Sequence, residues 1–207
     1  MAVADVQAPS GQRPRYPGLD PSMMGMYIFL ASEVMFFGSM FAMYFYLFGS
    51  HPVAWPPPNT IPVNWFPIPA VNTVILISSG FTCHFALESI SHNRRRSFYI
   101  LLVSTILLGA MFEAGQVYEF THAKITLGGL NEFGSAFFTM TGFHGLHVAG
   151  GLIFLLLMLF RATKGHFNAQ HHVGFAAATL YWHFVDVVWV FLFGILYLAV
   201  TAIGVSS

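Results

Sequence analysis

Apolar residues gather into five long stretches, separated by short segments rich in proline, glycine or charge. The stretches cover about residues 21–48, 69–90, 97–119, 132–160 and 174–200. A helix of about 25 such residues rises about 37 Å, enough to cross a hydrocarbon core of about 30 Å. The pattern predicts an all-α integral membrane bundle of five transmembrane helices over residues 21–203, preceded by a polar tail over 1–20. Asp20 and Pro21 suit the cap and first turn of the first span. Trp55-Pro56-Pro57-Pro58 breaks the chain after it, because proline at this density does not continue a helix and tryptophan favours the interface. Asn93-Arg94-Arg95-Arg96 makes a tight basic turn between the second and third spans.

Basic residues orient the bundle. Arg13 and Arg15 precede the first span, Arg94, Arg95 and Arg96 follow the second, and Arg161 and Lys164 follow the fourth. These seven share one side of a five-span chain, and only Lys124 lies on the other. The positive-inside rule then puts the N-terminus in the cytoplasm and the C-terminus outside.

Composition supports the membrane reading. Hydrophobic residues make up 56% of the 207 residues and charged residues only 8%, too few to cover a water-soluble surface. A net charge of zero gives no sign of nucleic-acid binding. The lone Cys83 excludes a disulfide framework, a Cys-cluster metal site and a dinuclear copper centre of the two-cysteine kind.

Ionisable residues inside the spans carry the candidate chemistry. Glu33 lies well inside the first span, and Glu113 and Glu119 lie in the third. His144 and His147 sit three residues apart in the fourth, and His183 and Asp186 three apart in the fifth, so each pair shares a helix face. A charge at mid-membrane costs several kcal/mol at least, so these groups should face the bundle interior or a partner. Two readings are open for the histidines. One is metal or haem ligation. The other is hydrogen bonding between helices with Asp186, Glu119 or backbone carbonyls, which a small bundle short of room for haem favours. Glu33 reads either as a proton-handling or lipid-contacting carboxyl, or as a structural hydrogen-bond partner. Arg94, Arg95 and Arg96 are topology determinants and candidate contacts for anionic lipid headgroups. His171-His172 reads as an interfacial pair, with metal binding as the alternative. Gly142, Gly145, Gly150 and Gly151 suit close helix packing. Trp182 and Trp189, seven residues apart, read as a lipid-facing aromatic surface or a contact with another subunit.

Several segments resemble one family. Gly142-Phe143-His144-Gly145-Leu146-His147-Val148 and Tyr181-Trp182-His183-Phe184-Val185-Asp186-Val187-Val188-Trp189 resemble the most distinctive motifs of subunit III of haem–copper oxidases. Ser32-Glu33-Val34-Met35-Phe36-Phe37, Trp55-Pro56-Pro57, Gln116-x-x-Glu119 and Gly134-Ser135-x-Phe137-Phe138 are similar to the same family. The resemblance runs from about Gly25 to Tyr197.

It implies an accessory, non-redox subunit of a proton-pumping terminal oxidase of the cytochrome c oxidase type, in aerobic respiratory electron transport. No catalytic residue and no metal ligand belong to this chain; haem and copper sit in partner subunits. The implied partners are subunit I, other oxidase subunits, a respiratory supercomplex and phospholipid. The implied site is a bacterial cytoplasmic membrane. Glu33 matches the family's membrane-buried glutamate beside bound lipid, and Glu119, His144, His147, His183 and Asp186 match the polar interior of the bundle. Many relatives have seven helices, two of them forming one wall of a lipid cleft, and this chain corresponds to the five-helix form. Related readings are the five-helix accessory protein of nitric oxide reductases and the third subunit of a quinol oxidase. A proton-coupled transporter using Glu33, Glu113 and Asp186 is the competitor from another class; the absence of an inverted repeat in the sequence argues against it.

Overall fold

The computed structural model describes residues 20–50, 55, 67–122, 132–165, 167 and 172–200. Among these residues the chain forms five membrane-length helices: α1 (Pro21–Ser50), α2 (Ile68–Ser91), α3 (Arg95–His122), α4 (Glu132–Thr163) and α5 (Val173–Phe193). A π-helical segment, Gly194–Ala199, extends α5. Helix ends lie within about three residues of the expected ones; α3 and α4 run longest past them. The π segment was not foreseen. It brings the adjacent Leu196 and Tyr197 both into the core. Arg13, Arg15, Lys124, His171 and most of the proline-rich loop fall outside the described residues.

Local chemistry sets the helix ends. The Ser22 N–H donates to Asp20 Oδ1 at 2.8 Å, capping α1. The α2–α3 turn ends α2 in a Schellman arrangement. Arg94 N–H donates to Ser89 O at 2.8 Å and Asn93 N–H to Ile90 O at 3.0 Å. Asn93 sits at φ 58°, a left-handed conformation that asparagine tolerates better than most residues. The turn holds α2 and α3 as the most closely packed pair.

α2, α3, α4 and α5 form a ring in which each packs on its two neighbours, and α1 lies outside it against α4 and α5. α1 therefore buries one narrow stripe, Phe37, Met40 and Tyr44. Aromatic contacts line that seam: Phe36 on Phe143 at 5.3 Å, Phe37 on Phe184 at 6.1 Å, Phe41 on Phe191 at 6.2 Å. Trp55 locks its outer end. The indole N–H donates to Tyr44 Oη at 3.0 Å, and the ring meets Phe133 of α4 edge-on at 5.8 Å.

Trp182 holds the ring together, which corrects the expectation that Trp182 and Trp189 face lipid or another subunit. Both are fully buried inside this chain. A Cβ on Gly109 of α3 would stand 2.7 Å from the Trp182 ring, and one on Gly151 of α4 would stand 2.8 Å from it. These glycines make a slot that no larger residue leaves open. The Trp182 indole N–H donates to Ser79 Oγ of α2 at 3.0 Å, and the Trp189 N–H to Thr73 Oγ1 at 3.0 Å. Seven-residue spacing put both indoles on one face, as expected, but buried indole N–H groups need acceptors, and Ser79 and Thr73 supply them inside the bundle. Of the glycines in α4, Gly151 makes the tight approach; Gly142 and Gly150 have ordinary clearance.

Candidate functional site: a glutamate–histidine pair under an open cleft

Glu33 of α1 and His147 of α4 meet across the outer seam. Glu33 stands about 18 Å along α1, and His147 about 22 Å along α4, so both lie deep in the membrane span. His147 Nε2 lies 2.9 Å from Glu33 Oε2. His147 Nδ1 lies 2.7 Å from the Phe143 carbonyl. A carbonyl only accepts, so Nδ1 carries a hydrogen and donates it there. The contact with Glu33 then shares a single proton. Either imidazolium donates to carboxylate, or carboxylic acid donates to neutral imidazole. The pair carries no net charge in both cases, which is how two ionisable groups lie at mid-membrane without a bare charge.

The side chains are 18% (His147) and 17% (Glu33) exposed, so the pair is neither sealed nor free. It lies beneath an open cleft of about 570 Å³ between α1, α4 and α5. Phe29, Phe36, Phe143 and Leu146 give the cleft apolar walls, and Ser32 and Tyr181 add hydroxyls beside the pair. The Tyr181 hydroxyl donates to the His147 carbonyl at 3.0 Å and ties α5 to this turn of α4. The lining is mostly apolar with a few polar groups, as in many small-molecule sites.

The other expected residues occupy two further places. His144 is fully buried between Trp189, stacked at 5.0 Å, and Phe112, edge-on at 6.0 Å. Neither of its ring nitrogens has a hydrogen-bond partner among the described residues. The Glu119 carboxyl is buried near the end of α3 and faces the Tyr197 hydroxyl of the π segment. Glu113, Asn72 and Gln116 add further buried polar atoms to this interior.

His183 and Asp186 sit apart from it, on α5 where α2 packs. His183 Nδ1 is 3.6 Å from Asp186 Oδ2, longer than a hydrogen bond. Gly80 of α2 admits the carboxyl; a Cβ there would collide with Asp186. The His183 side chain is 39% exposed and lies half-buried at the edge of the bundle. Arg94, Arg95 and Arg96 are exposed at the α2–α3 end. Among the described residues no group of three or more His, Cys, Asp or Glu side chains is placed to hold a metal ion.

Two residues escaped the sequence reading. His84 lies inside α2, two turns before its end, and its ring centre is 6.1 Å from that of His183. The signal that singled out Glu33, an ionisable residue in an apolar run, was present for His84 too. Tyr181, inside a quoted motif, carried no signal separating a cleft residue from a core one.

The match to known proteins covers all of these residues. The family described as "Cytochrome c oxidase subunit III" matches residues 18–200. The chain belongs to the cytochrome c oxidase subunit III family. Among curated proteins it is similar to cytochrome c oxidase subunit 3 of Aedes aegypti, 46% identical over 173 residues, covering 82% of this chain and 66% of that one. It is 45% identical over 183 residues to the protein of that name from Thermostichus vulcanus, covering 86% of this chain and 88% of that one. The Drosophila melanogaster protein of that name is 44% identical over 177 residues, 84% of this chain and 67% of that one. The chain thus spans about two thirds of the insect subunits' length and most of the Thermostichus one. In this family frame, Glu33 and His147 come from two separately quoted subunit III motifs that the fold brings into contact.

Proposed function

We propose that this chain is a non-redox accessory subunit of a proton-pumping haem–copper terminal oxidase in aerobic respiration. It packs against the subunit that holds haem and copper, carries no redox centre of its own, and sits in a bacterial cytoplasmic membrane with its N-terminus inside. The observation that carries this reading is the unbroken family match over residues 18–200, which includes every described helix. The cleft over Glu33 and His147 supports a phospholipid site, with acyl chain along Phe29, Phe36 and Phe143. The shared proton of the pair supports a part in proton handling near the partner subunit. Arg94, Arg95 and Arg96 would meet anionic headgroups at the cytoplasmic surface.

The test is affinity purification of the tagged chain from its native membrane, followed by an optical spectrum and intact masses. Co-elution with a haem- and copper-bearing polypeptide is expected, along with retained phospholipid. A chain that elutes alone, or with partners that carry no haem, overturns the reading.

A further inference from the structure

His147 and the His84–His183 pair differ in how they are satisfied. His147 spends both ring nitrogens inside the chain, on Phe143 and Glu33. The α2–α5 surface does not close in this way. His84 is exposed, its ring centre 6.1 Å from that of the half-exposed His183. Asp186 approaches His183 only at 3.6 Å and from inside the bundle, its side chain 12% exposed, so it does not close the imidazole off. Val187 beside them is 54% exposed, and Phe81, one turn from His84, is 63% exposed.

Depth makes this surface informative. His84 lies about 11 Å from the end of α2, and His183 about 15 Å from the start of α5. Those two helix ends are on the same side of the membrane, since α2 ends and α5 begins after an even number of crossings. Both imidazoles therefore fall inside the hydrocarbon core at nearly one level. Acyl chains offer no hydrogen bond to either, and exposed ionisable groups at that depth are found facing protein or water-filled space. α5 packs against both α1 and α2, so the fold presents this surface outward and supplies nothing else to cover it among the described residues.

We propose that the His84–His183 face is a protein-docking surface. Its occupant is a transmembrane helix of another subunit of the same oxidase, carrying a hydrogen-bonding side chain at the depth of His84 and His183. This rests on the reading of the chain as an oxidase subunit. Apolar Phe81 and Val187 supply close packing around the polar centre, as membrane interfaces with a buried polar contact do.

The test is photo-crosslinking in the intact, tagged complex. p-Benzoylphenylalanine is placed at Val187, and separately at Leu107, an equally exposed mid-span position on α3. The Val187 probe should cross-link to another polypeptide of the haem-bearing complex, and the Leu107 probe to lipid alone. In parallel, His84→Trp should lower the share of chain retained with haem several-fold, while Leu107→Trp leaves it unchanged. His84 is exposed, so its replacement does not disturb the chain's own packing. A Val187 probe that captures only lipid or a second copy of this chain, while haem still co-elutes, overturns the docking surface. Full retention of His84→Trp overturns it as well. Loss of haem co-elution from the unsubstituted complex instead overturns the oxidase-subunit reading, and the docking proposal with it.

Discussion

At Glu33 the decisive quantity is one proton. The Phe143 carbonyl fixes hydrogen on His147 Nδ1, so Nε2 and the Glu33 carboxyl share whatever proton remains. Two substitutions separate the structural part of this contact from the proton. In Glu33→Gln the amide N–H can donate to Nε2, so the link between α1 and α4 survives but the exchangeable acid is gone. In Glu33→Ala the partly buried Nε2 loses its partner, at a cost of about 1–3 kcal/mol. Thermal unfolding of the solubilised complex should therefore show Glu33→Ala destabilised and Glu33→Gln close to native. Oxygen consumption followed over many turnovers should decay faster in both. If Glu33→Gln decays at the native rate, the pair is only a strut. On α5, Asp186→Ala should loosen the α2–α5 contact, because the Gly80 recess that admits the carboxyl is left as a void and His183 loses its neighbour. Lower retention of this chain on detergent titration checks it, and undiminished retention counts against a structural role for Asp186.

Between elements, the decisive dimension is the width of the slot around Trp182. An alanine at Gly151 or Gly109 would force carbon atoms to within 2.8 or 2.7 Å, and neither a fused ring nor the opposing helix yields cheaply. Overpacking of this kind costs about 1–3 kcal/mol. Gly38 of α1 has nothing within 4 Å, so Gly38→Ala should be neutral or slightly stabilising. Matched melting curves of the three alanine variants test the slot directly; equal melting temperatures would show that Trp182 re-packs freely. The slot also marks where sequence reasoning stops. The five spans were legible because a bilayer demands about twenty apolar residues per crossing, and the Asn93 turn because charge and asparagine punctuate it. Glu33, His144, His147, His183 and Asp186 were legible because ionisable groups are conspicuous in apolar runs. Which face each helix turns inward was not legible, because a helix that is apolar all round has no amphipathic stripe to read. So Trp182 and Trp189 were assigned outward, and the Glu33–His147 contact between distant segments went unseen.

At the scale of the molecule, the charge distribution now has a geometric basis. The Tyr99 hydroxyl near the start of α3 donates to the Ala162 carbonyl near the end of α4 at 2.7 Å, so those helix ends are level. Arg94, Arg95 and Arg96 lie at the first of these ends and Arg161 and Lys164 at the second. Among the described residues these are all the lysines and arginines, and they occupy one end of the bundle. Among the described residues the opposite end shows none, with Lys124 following α3 on that side of the sequence, and this asymmetry supports the proposal that the basic end lies in the cytoplasm. On that proposal an odd number of crossings carries the C-terminus to the other side. A protease-cleavable tag appended after Ser207 should accordingly be cut in intact spheroplasts, with the protease outside, while a tag before Met1 is cut only after the membrane is opened. The reverse pattern would invert the bundle. It would also remove the Arg94–Arg96 end from the cytoplasmic leaflet, where anionic headgroups would otherwise contribute about 1 kcal/mol per basic residue to holding the chain in register.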